Sequence, residues 1–187
     1  MVWTVKEGNL LTAIRKGSIS KINQAIQDGA DVNATDDCGW TPLMFALRYE
    51  APKEVIELLI AKDAKVNAKA NDGRTPLMCA CANKAPKKVI ELLIAKGADI
   101  NAKDNGGWTP LKHAAYNKAS KEVIELLTKK AQFTALKADL AKSEQENANL
   151  KQKIDEQNAQ IARINFEARK RKKQRMMALR LGQYRHR

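Results

Sequence analysis

Gly39-Trp40-Thr41-Pro42-Leu43 is the stretch that decides the fold, because the same phrase returns twice at a constant spacing. Gly73-Arg74-Thr75-Pro76-Leu77 follows after 34 residues, and Gly107-Trp108-Thr109-Pro110-Leu111 after 34 more. A fixed period of this length indicates an array of similar structural units. Each unit is too small to bury its own apolar face and must stack on its neighbours.

Two further phrases recur in register with the first. Val55-Ile56-Glu57-Leu58-Leu59 returns at Val89 and Val123, and Ala30-Asp31-Val32-Asn33-Ala34 returns, with small changes, at Ala64 and Ala98. The recurrence outside the Thr-Pro-Leu core shows that the whole unit repeats.

Each unit is predicted to hold two short helices. Proline suits the first turn of a helix, where its missing N–H costs nothing, so a helix is expected to begin at each Thr-Pro. Pro52 and Pro86 open the second helix, and Ser120 stands there in the last unit as a candidate N-cap. Gly29 and Gly97 suit the left-handed residue that ends the second helix, whereas Asp63 occupies that place in the middle.

These phrases resemble the ankyrin repeat over about residues 8–130. Tetratricopeptide repeats share the 34-residue period, but their Trp/Gly/Tyr signature is absent. The family's period is usually 33, and the extra residue falls between the two helices, near Glu50 and Ala85. The family's His after Thr-Pro-Leu is replaced by Met44, Met78 and Lys112, which implies that a bond between neighbouring turns is missing.

The Asp that usually opens the family's turn is present as Asp36 and Asp104 but is Ala70 in between. We therefore expect the middle unit to be the loosest.

The resemblance predicts an all-α fold, an ankyrin-repeat solenoid of about four helix pairs followed by one long helix. In the N-terminal unit, helices are expected over about residues 10–17 and 19–27. The expected domains are a repeat domain over 1–130, a long helix or coiled coil over 131–168, and a basic tail over 169–187. Within the repeat domain we expect a capping unit over 1–35 and repeats over about 36–69, 70–103 and 104–130.

The long helix is predicted because no Gly or Pro follows Leu127 until Gly182. Its apolar residues follow a heptad, which favours a homodimeric coiled coil through residues 133–168. In a parallel dimer Glu146 would attract Lys151, but Asp139 would repel Glu144. The alternative is a single solvated helix that caps the repeats. Positions a are Phe133, Leu140, Asn147, Ile154, Ile161 and Ala168, and positions d are Leu136, Ser143, Leu150, Gln157 and Ile164.

Charge is concentrated at the C-terminus. The net charge is +13, and the last 20 residues carry nine Lys or Arg and no acidic residue. Such a tail either binds nucleic acid, an acidic protein or an anionic surface, or is simply solvated, and no aromatic side chain interrupts the run. The candidate residues are Arg169, Lys170, Arg171, Lys172, Lys173 and Arg175.

Three cysteines, Cys38, Cys79 and Cys81, do not form a disulfide framework and suit a reducing compartment. No signal peptide is recognised, and no apolar stretch is long enough to span a membrane. We expect a cytoplasmic protein, or a nuclear one in a eukaryote.

No catalytic, metal-binding or cofactor-binding residues are expected, so an enzyme is not predicted. The Cys79-x-Cys81 spacing is too short for a zinc pair. Cys79 and His113 occupy equivalent positions in adjacent units, but helices pack about 8–10 Å apart, too far for a Cys–His dyad.

In ankyrin proteins, partners lie against the turn tips and the exposed side of the first helices, so the resemblance implies a protein partner there. Two exposed tryptophans beside an arginine have the composition of a binding hot spot. The alternative is that both tryptophans only pack against neighbouring turns. The implied partner-binding residues are Asp37, Trp40, Phe45, Arg48, Tyr49, Asn71, Asp72, Arg74, Asn83, Asn105, Trp108, Tyr116 and Asn117.

Overall fold

A computed structural model describes the backbone of residues 4–183 and the side chains up to residue 177. Every regular element in this part of the chain is a helix, which confirms the predicted all-α class. The helices are α1 (Val5–Arg15), α2 (Ile19–Gln27), α3 (Pro42–Arg48), α4 (Lys53–Ala61), α5 (Pro76–Ala82), α6 (Lys87–Ala95), α7 (Pro110–Tyr116) and α8 (Lys121–Gln183).

The Thr-Pro phrases start helices as predicted, and the threonine is the N-cap each time. The Oγ1 atom of Thr41 accepts a hydrogen bond from the Met44 N–H at 3.4 Å, and the cap repeats at Thr75 and Thr109. Proline occupies the first helical turn, where an N–H would have no partner in the helix and proline has none to satisfy. The threonine hydroxyl oxygen accepts a hydrogen bond from another of the free N–H groups in that turn.

The second helices begin one residue later than predicted. Pro52 and Pro86 are N-cap residues, and the first helical residues are Lys53 and Lys87. Ser120 directly precedes α8, and its carbonyl accepts hydrogen bonds from the N–H groups of residues 123 and 124.

Helix ends depend on left-handed residues. Gly29 and Gly97 have φ of +92° and +87°, as expected, and Asp63 adopts +64° in the equivalent place. A side chain at this φ is strained relative to glycine by about 1–2 kcal/mol.

The N-terminal helix begins five residues before its predicted start at residue 10. Thr4 is its N-cap, and the Glu7 carboxylate accepts hydrogen bonds from both the Thr4 hydroxyl and the Thr4 N–H. This capping box starts the helix ahead of its apolar residues. Glu7 Oε1 also accepts a hydrogen bond from the Asp31 N–H at 3.2 Å. These hydrogen bonds, above all the one from the Thr4 hydroxyl, lower the pKa of the Glu7 carboxyl.

The core runs through all the stacked pairs. α3 packs against α1 and α5, α5 packs against α7, and α4 packs against α2 and α6. Each unit supplies fully buried side chains to one continuous cluster, which contains Leu10, Ile14, Ile22, Leu43, Leu47, Ile56, Leu59, Leu77, Ile90 and Leu93.

Asparagine side chains join neighbouring units. Asn33 Nδ2 donates to the Asp63 carbonyl at 2.9 Å while its Oδ1 accepts from the Lys65 N–H at 2.8 Å. Asn67 makes the same pair of bonds to Gly97 and Asp99.

The turn tips also stack closely. A Cβ on Gly73 would lie 2.8 Å from the backbone nitrogen of Asn105, so only glycine allows the next turn to approach this closely.

The chain divides into two compact units, residues 1–134 and residues 135–187. The first unit holds the helix pairs and the first turns of α8, and the second holds the rest of α8. Residues 184–187, the end of the expected basic tail, lie outside the described residues. Among the described helices, none is both long and apolar enough to cross a membrane.

Candidate partner-binding surface

The first candidate surface is an aromatic cluster on the repeat that begins at residue 36. The ring centroids of Trp40 and Phe45 are 5.6 Å apart, and those of Phe45 and Tyr49 are 5.9 Å apart. The Arg48 guanidinium lies 5.6 Å from the Trp40 centroid, within the range of a cation–π contact. We call these four residues the first aromatic cluster.

An equivalent cluster lies on the last repeat. The Trp108 ring is 5.1 Å from Tyr116 and 5.3 Å from His113, centroid to centroid, and Lys112 Nζ lies 4.7 Å from the Trp108 ring. We call these four residues the second aromatic cluster. His113 takes the place that Phe45 has in the first cluster, so the two surfaces have related shapes and different chemistry.

The tryptophans are half-buried, and the expectation that they are exposed is wrong. Asp36 Oδ1 accepts from the Trp40 N–H at 2.7 Å, and Asp104 Oδ1 accepts from the Trp108 N–H at 2.8 Å. These bonds close each turn, so each indole packs on the side chain five residues later. The tyrosines carry the exposure instead, since Tyr49 is 44% and Tyr116 is 72% exposed.

The middle repeat has no aromatic cluster. Arg74 stands in the tryptophan position and forms a salt bridge with Asp72 at 3.3 Å. Cys79 stands in the position of Phe45 and is buried, and burial raises the pKa of its thiol to about 12. Burial therefore favours the protonated thiol, which is the weaker nucleophile. Cys81 is buried in the core as expected.

His113 pairs with Asp104 rather than with Cys79. Its Nε2 lies 2.8 Å from Asp104 Oδ2, and both side chains are almost fully buried. Burial is the largest single influence on the Asp104 carboxyl and raises its pKa, but hydrogen bonds from the Trp108 N–H, His113 and the Gly106 N–H together bring that pKa below its usual value. The pair fixes the turn to the helix that follows it.

One cavity of about 470 Å³ brings together six of the residues implied by the resemblance. Four other residues that line this cavity were not predicted from the sequence. His113 could have been, because it holds the repeat position that Phe45 has in the first aromatic cluster. The implied residues are Asp72, Arg74, Asn105, Trp108, Tyr116 and Asn117, and the missed ones are Ala82, Asp104, Gly106 and His113.

The four implied asparagines are engaged in the fold. Asn71 Nδ2 donates to the Asp37 carbonyl and Asn105 Nδ2 to the Asn71 carbonyl, 34 residues away in each case. Asn83 and Asn117 donate to the carbonyls of residues 79 and 113, one turn earlier on their own helices. Their amide N–H groups therefore hold the surface in place, and Asp37 lies exposed on the first turn.

The recurring glutamates of the second helices pair with a lysine one turn earlier. Glu57 lies 2.5 Å from Lys53, and the contact repeats at Glu91 with Lys87 and at Glu125 with Lys121. Surface pairs of this kind contribute little to stability.

The basic residues Arg169, Lys170, Arg171, Lys172, Lys173 and Arg175 all lie exposed on α8. Because six of seven consecutive residues are charged, the charge surrounds the helix rather than forming one stripe. Among the residues whose side chains are described, no group of three or more His, Cys, Asp or Glu could hold a metal ion.

The repeats have a counterpart among known families. A model of ankyrin repeats in three copies matches residues 10–104, slightly more than half of the chain. A comparison with curated proteins found no match to this chain. Ankyrin repeats are generally protein–protein interaction modules without enzymatic activity. The match, the helix pairs and the stacked turns together show that the chain belongs to the ankyrin-repeat family.

Proposed function

We propose that this protein is a non-catalytic scaffold that binds a partner protein through the two aromatic clusters on its turn tips and first helices. The observation that carries the proposal is the pair of rigid aromatic surfaces, each with a tyrosine at its exposed edge. Tyrosine, tryptophan and arginine are the residues most enriched at binding hot spots. Half-burial supports this role, because a ring already held by packing loses little freedom on binding.

The test is a capture experiment with full-length bait. Tyr49→Ala and Tyr116→Ala remove the exposed edge of each cluster and leave the tryptophans in place. Phe166→Ala is the matched control, because Phe166 is an aromatic side chain outside the repeats whose exposure, 67%, is close to that of Tyr116. We expect a specific partner to be retained by the native bait and by Phe166→Ala.

A hot-spot side chain contributes about 2 kcal/mol or more, so the double tyrosine variant should lower affinity at least about 30-fold. A partner that binds all three baits equally would contradict the proposal. Circular dichroism of each variant confirms that the helices are retained.

We propose in addition that α8 pairs with a second copy of the chain through residues 133–168. The large apolar side chains of the heptad are all more than half exposed, which supports a missing partner for this face. We also propose a reducing compartment, the cytoplasm or, in a eukaryote, the nucleus, because all three cysteines are free thiols.

A second candidate function is binding of nucleic acid by the basic residues of α8, favoured by six exposed charges within seven residues. Replacing them with glutamine should abolish this binding, and the native protein should lose affinity steeply with added salt as counterions are released. Affinity that does not change between about 50 and 200 mM salt would rule this function out.

A further inference from the structure

An exposed apolar stripe runs along α8. Seven large side chains lie at positions a and d of the heptad, which are separated by alternating steps of three and four residues, and each is between 55% and 69% exposed. A left-handed coiled coil requires this period of 3.5. The stripe consists of Phe133, Leu136, Leu140, Leu150, Ile154, Ile161 and Ile164.

Little else stabilises this part of α8. Among the side chains described on α8, the ion pair found is Lys121–Glu125, in the first turn, so no salt bridge between described residues stabilises the helix further along. Most helices in proteins owe their stability to packing of one face. The stripe is the face that packing would cover.

We infer that the stripe pairs with the same stripe of a second copy, in parallel and in register. The inference rests on the self-association proposed above and adds the orientation. The polar residues that interrupt the seam decide between the two orientations.

In the parallel, in-register pair every seam residue faces its own copy. Asn147 then faces Asn147, so the two amides can bond to each other, and Ser143 and Gln157 likewise face polar partners. An Asn at one a position is a known determinant of parallel dimers.

The antiparallel pair that overlays the same span sets residue 133 against 164 and mismatches the seam. Asn147 then faces Leu150, Ser143 faces Ile154, and Leu140 faces Gln157. Each polar group loses water without gaining a partner, which is costly.

Flanking charges favour that antiparallel pair, since Glu144 would face Lys151 and Glu146 would face Lys153. These positions stay in water, where an ion pair contributes little, so the buried seam outweighs them. Moving the antiparallel pair one heptad toward the C-terminus sets Asn147 against Gln157, but Ser143 then faces Ile161 and still loses water without a partner. The flanking charges of this register are also unfavourable, since Asp139 faces Glu167 and Lys151 and Lys153 each face their own copy.

The parallel pair has its own charge pattern. Glu146 faces Lys151 and Glu167 faces Lys172, whereas Asp139 faces Glu144. Two attractive contacts per chain therefore stand against one repulsive contact. Parallel pairing also brings both copies of the basic segment 169–175 together, so the dimer offers an acidic partner twice the charge in one place.

Disulfide trapping tests the orientation in the full-length chain. Cys38 is exposed and Cys79 and Cys81 are buried, so Cys38→Ser gives a background without exposed thiols. Ile161→Cys should then form a covalent dimer on mild oxidation, because parallel pairing sets residue 161 against itself. Ala159→Cys, on the outer face of the heptad, is the matched control and should not form one.

A mixture of Leu136→Cys and Ile161→Cys chains with different tags reports the opposite orientation, because residues 136 and 161 face each other only in the antiparallel pair. A cross-link between the tagged chains, without the Ile161→Cys self-link, would overturn the parallel inference and leave self-association standing.

Two measurements do not disturb the seam. Light scattering of the native chain should give twice 20.8 kDa, whereas a monomer mass would overturn self-association itself and a trimer mass would overturn the dimer. Spin labels on Ala159→Cys should lie at the same level along the axis of the parallel dimer, on its two opposite outer faces. In the antiparallel pair the two labels would be about 30 Å apart along the axis, at 1.5 Å per residue, and that distance would overturn the inference.

Discussion

Asp104→Ala tests whether the buried hydrogen bond between Asp104 and His113 holds the last repeat together. The Asp104 carboxylate accepts hydrogen bonds from the Gly106 N–H at 3.0 Å, the Trp108 N–H at 2.8 Å and His113 Nε2 at 2.8 Å. Gly106 is exposed and regains water when the carboxylate is removed. Trp108 N–H loses a bond whose net contribution is about 0.5–1.5 kcal/mol. The buried imidazole is left unsatisfied, which costs about 1–3 kcal/mol, so we expect a total of about 1.5–4.5 kcal/mol.

The chain supplies its own control. Asp36 accepts the equivalent bonds from the Cys38 N–H and the Trp40 N–H at 2.9 and 2.7 Å, but Phe45 stands where His113 does. Asp36→Ala therefore removes the turn bonds without stranding an imidazole, and should cost about 0.5–1.5 kcal/mol. The difference between the two variants isolates the His113 contact.

Urea unfolding followed by circular dichroism and tryptophan fluorescence measures both losses. The double variant Asp104→Ala with His113→Phe replaces the imidazole by the side chain of the first cluster. Its unfolding free energy should recover to about the level of Asp36→Ala, because no buried polar group is left unsatisfied. An Asp36→Ala loss equal to that of Asp104→Ala, or no recovery in the double variant, would refute the assignment of the extra stability to the contact between Asp104 and His113.

Asp104, Asp63 and Asn67 each give a further testable outcome. The pKa of Asp104 is lower in the folded state than its ordinary value of 3.8, so the carboxylate stabilises the fold fully above pH 3.8 and loses this contribution as pH falls through the folded-state pKa. The difference in unfolding free energy between the native chain and Asp104→Asn should therefore become smaller below pH 3.8 in acid unfolding titrations. Asp63→Gly should raise the unfolding free energy by about 1 kcal/mol, measured in urea, because the strain of a side chain at φ of +64° outweighs the extra backbone entropy that glycine loses on folding. Asn67→Ala should cost about 1–3 kcal/mol by the same assay, since it breaks two bonds between repeats, whereas Asn101→Ala should cost less, because no side-chain bond from Asn101 to a later repeat is found in the described residues.

Local chemistry explains which parts of the fold could be predicted. Thr41-Pro42 and its repeats specify an N-cap and a first helical turn within four residues, so the helices could be read directly. The early start of α1 was also readable, because Thr4 and Glu7 form the Thr-x-x-Glu capping box, but an apolar pattern that begins at Leu10 concealed it.

The exposure and the hydrogen-bond partners of the surface side chains could not be predicted from local sequence in the same way. Whether Trp40 is exposed depends on the closed turn and on Phe45 five residues later, a contact that composition does not reveal. The His113–Asp104 pair joins a turn to a helix, so the replacement of the family's usual histidine pointed away from it. Side-chain exposure and side-chain hydrogen bonding depend on tertiary packing, so the sequence could indicate only which residues were candidates for the surface.

The two proposals make different demands on a partner. On one chain, the polar side chains at the turn tips are largely engaged in holding the repeats, so binding free energy must come from the aromatic edges at Tyr49 and Tyr116. A parallel dimer doubles these edges without changing either one. Avidity then increases only for a partner that is itself repeated or multimeric, because a single site gains nothing from a second copy. Dimer-breaking substitutions in the seam should therefore weaken capture of a multimeric partner and leave the affinity for a monomeric one unchanged.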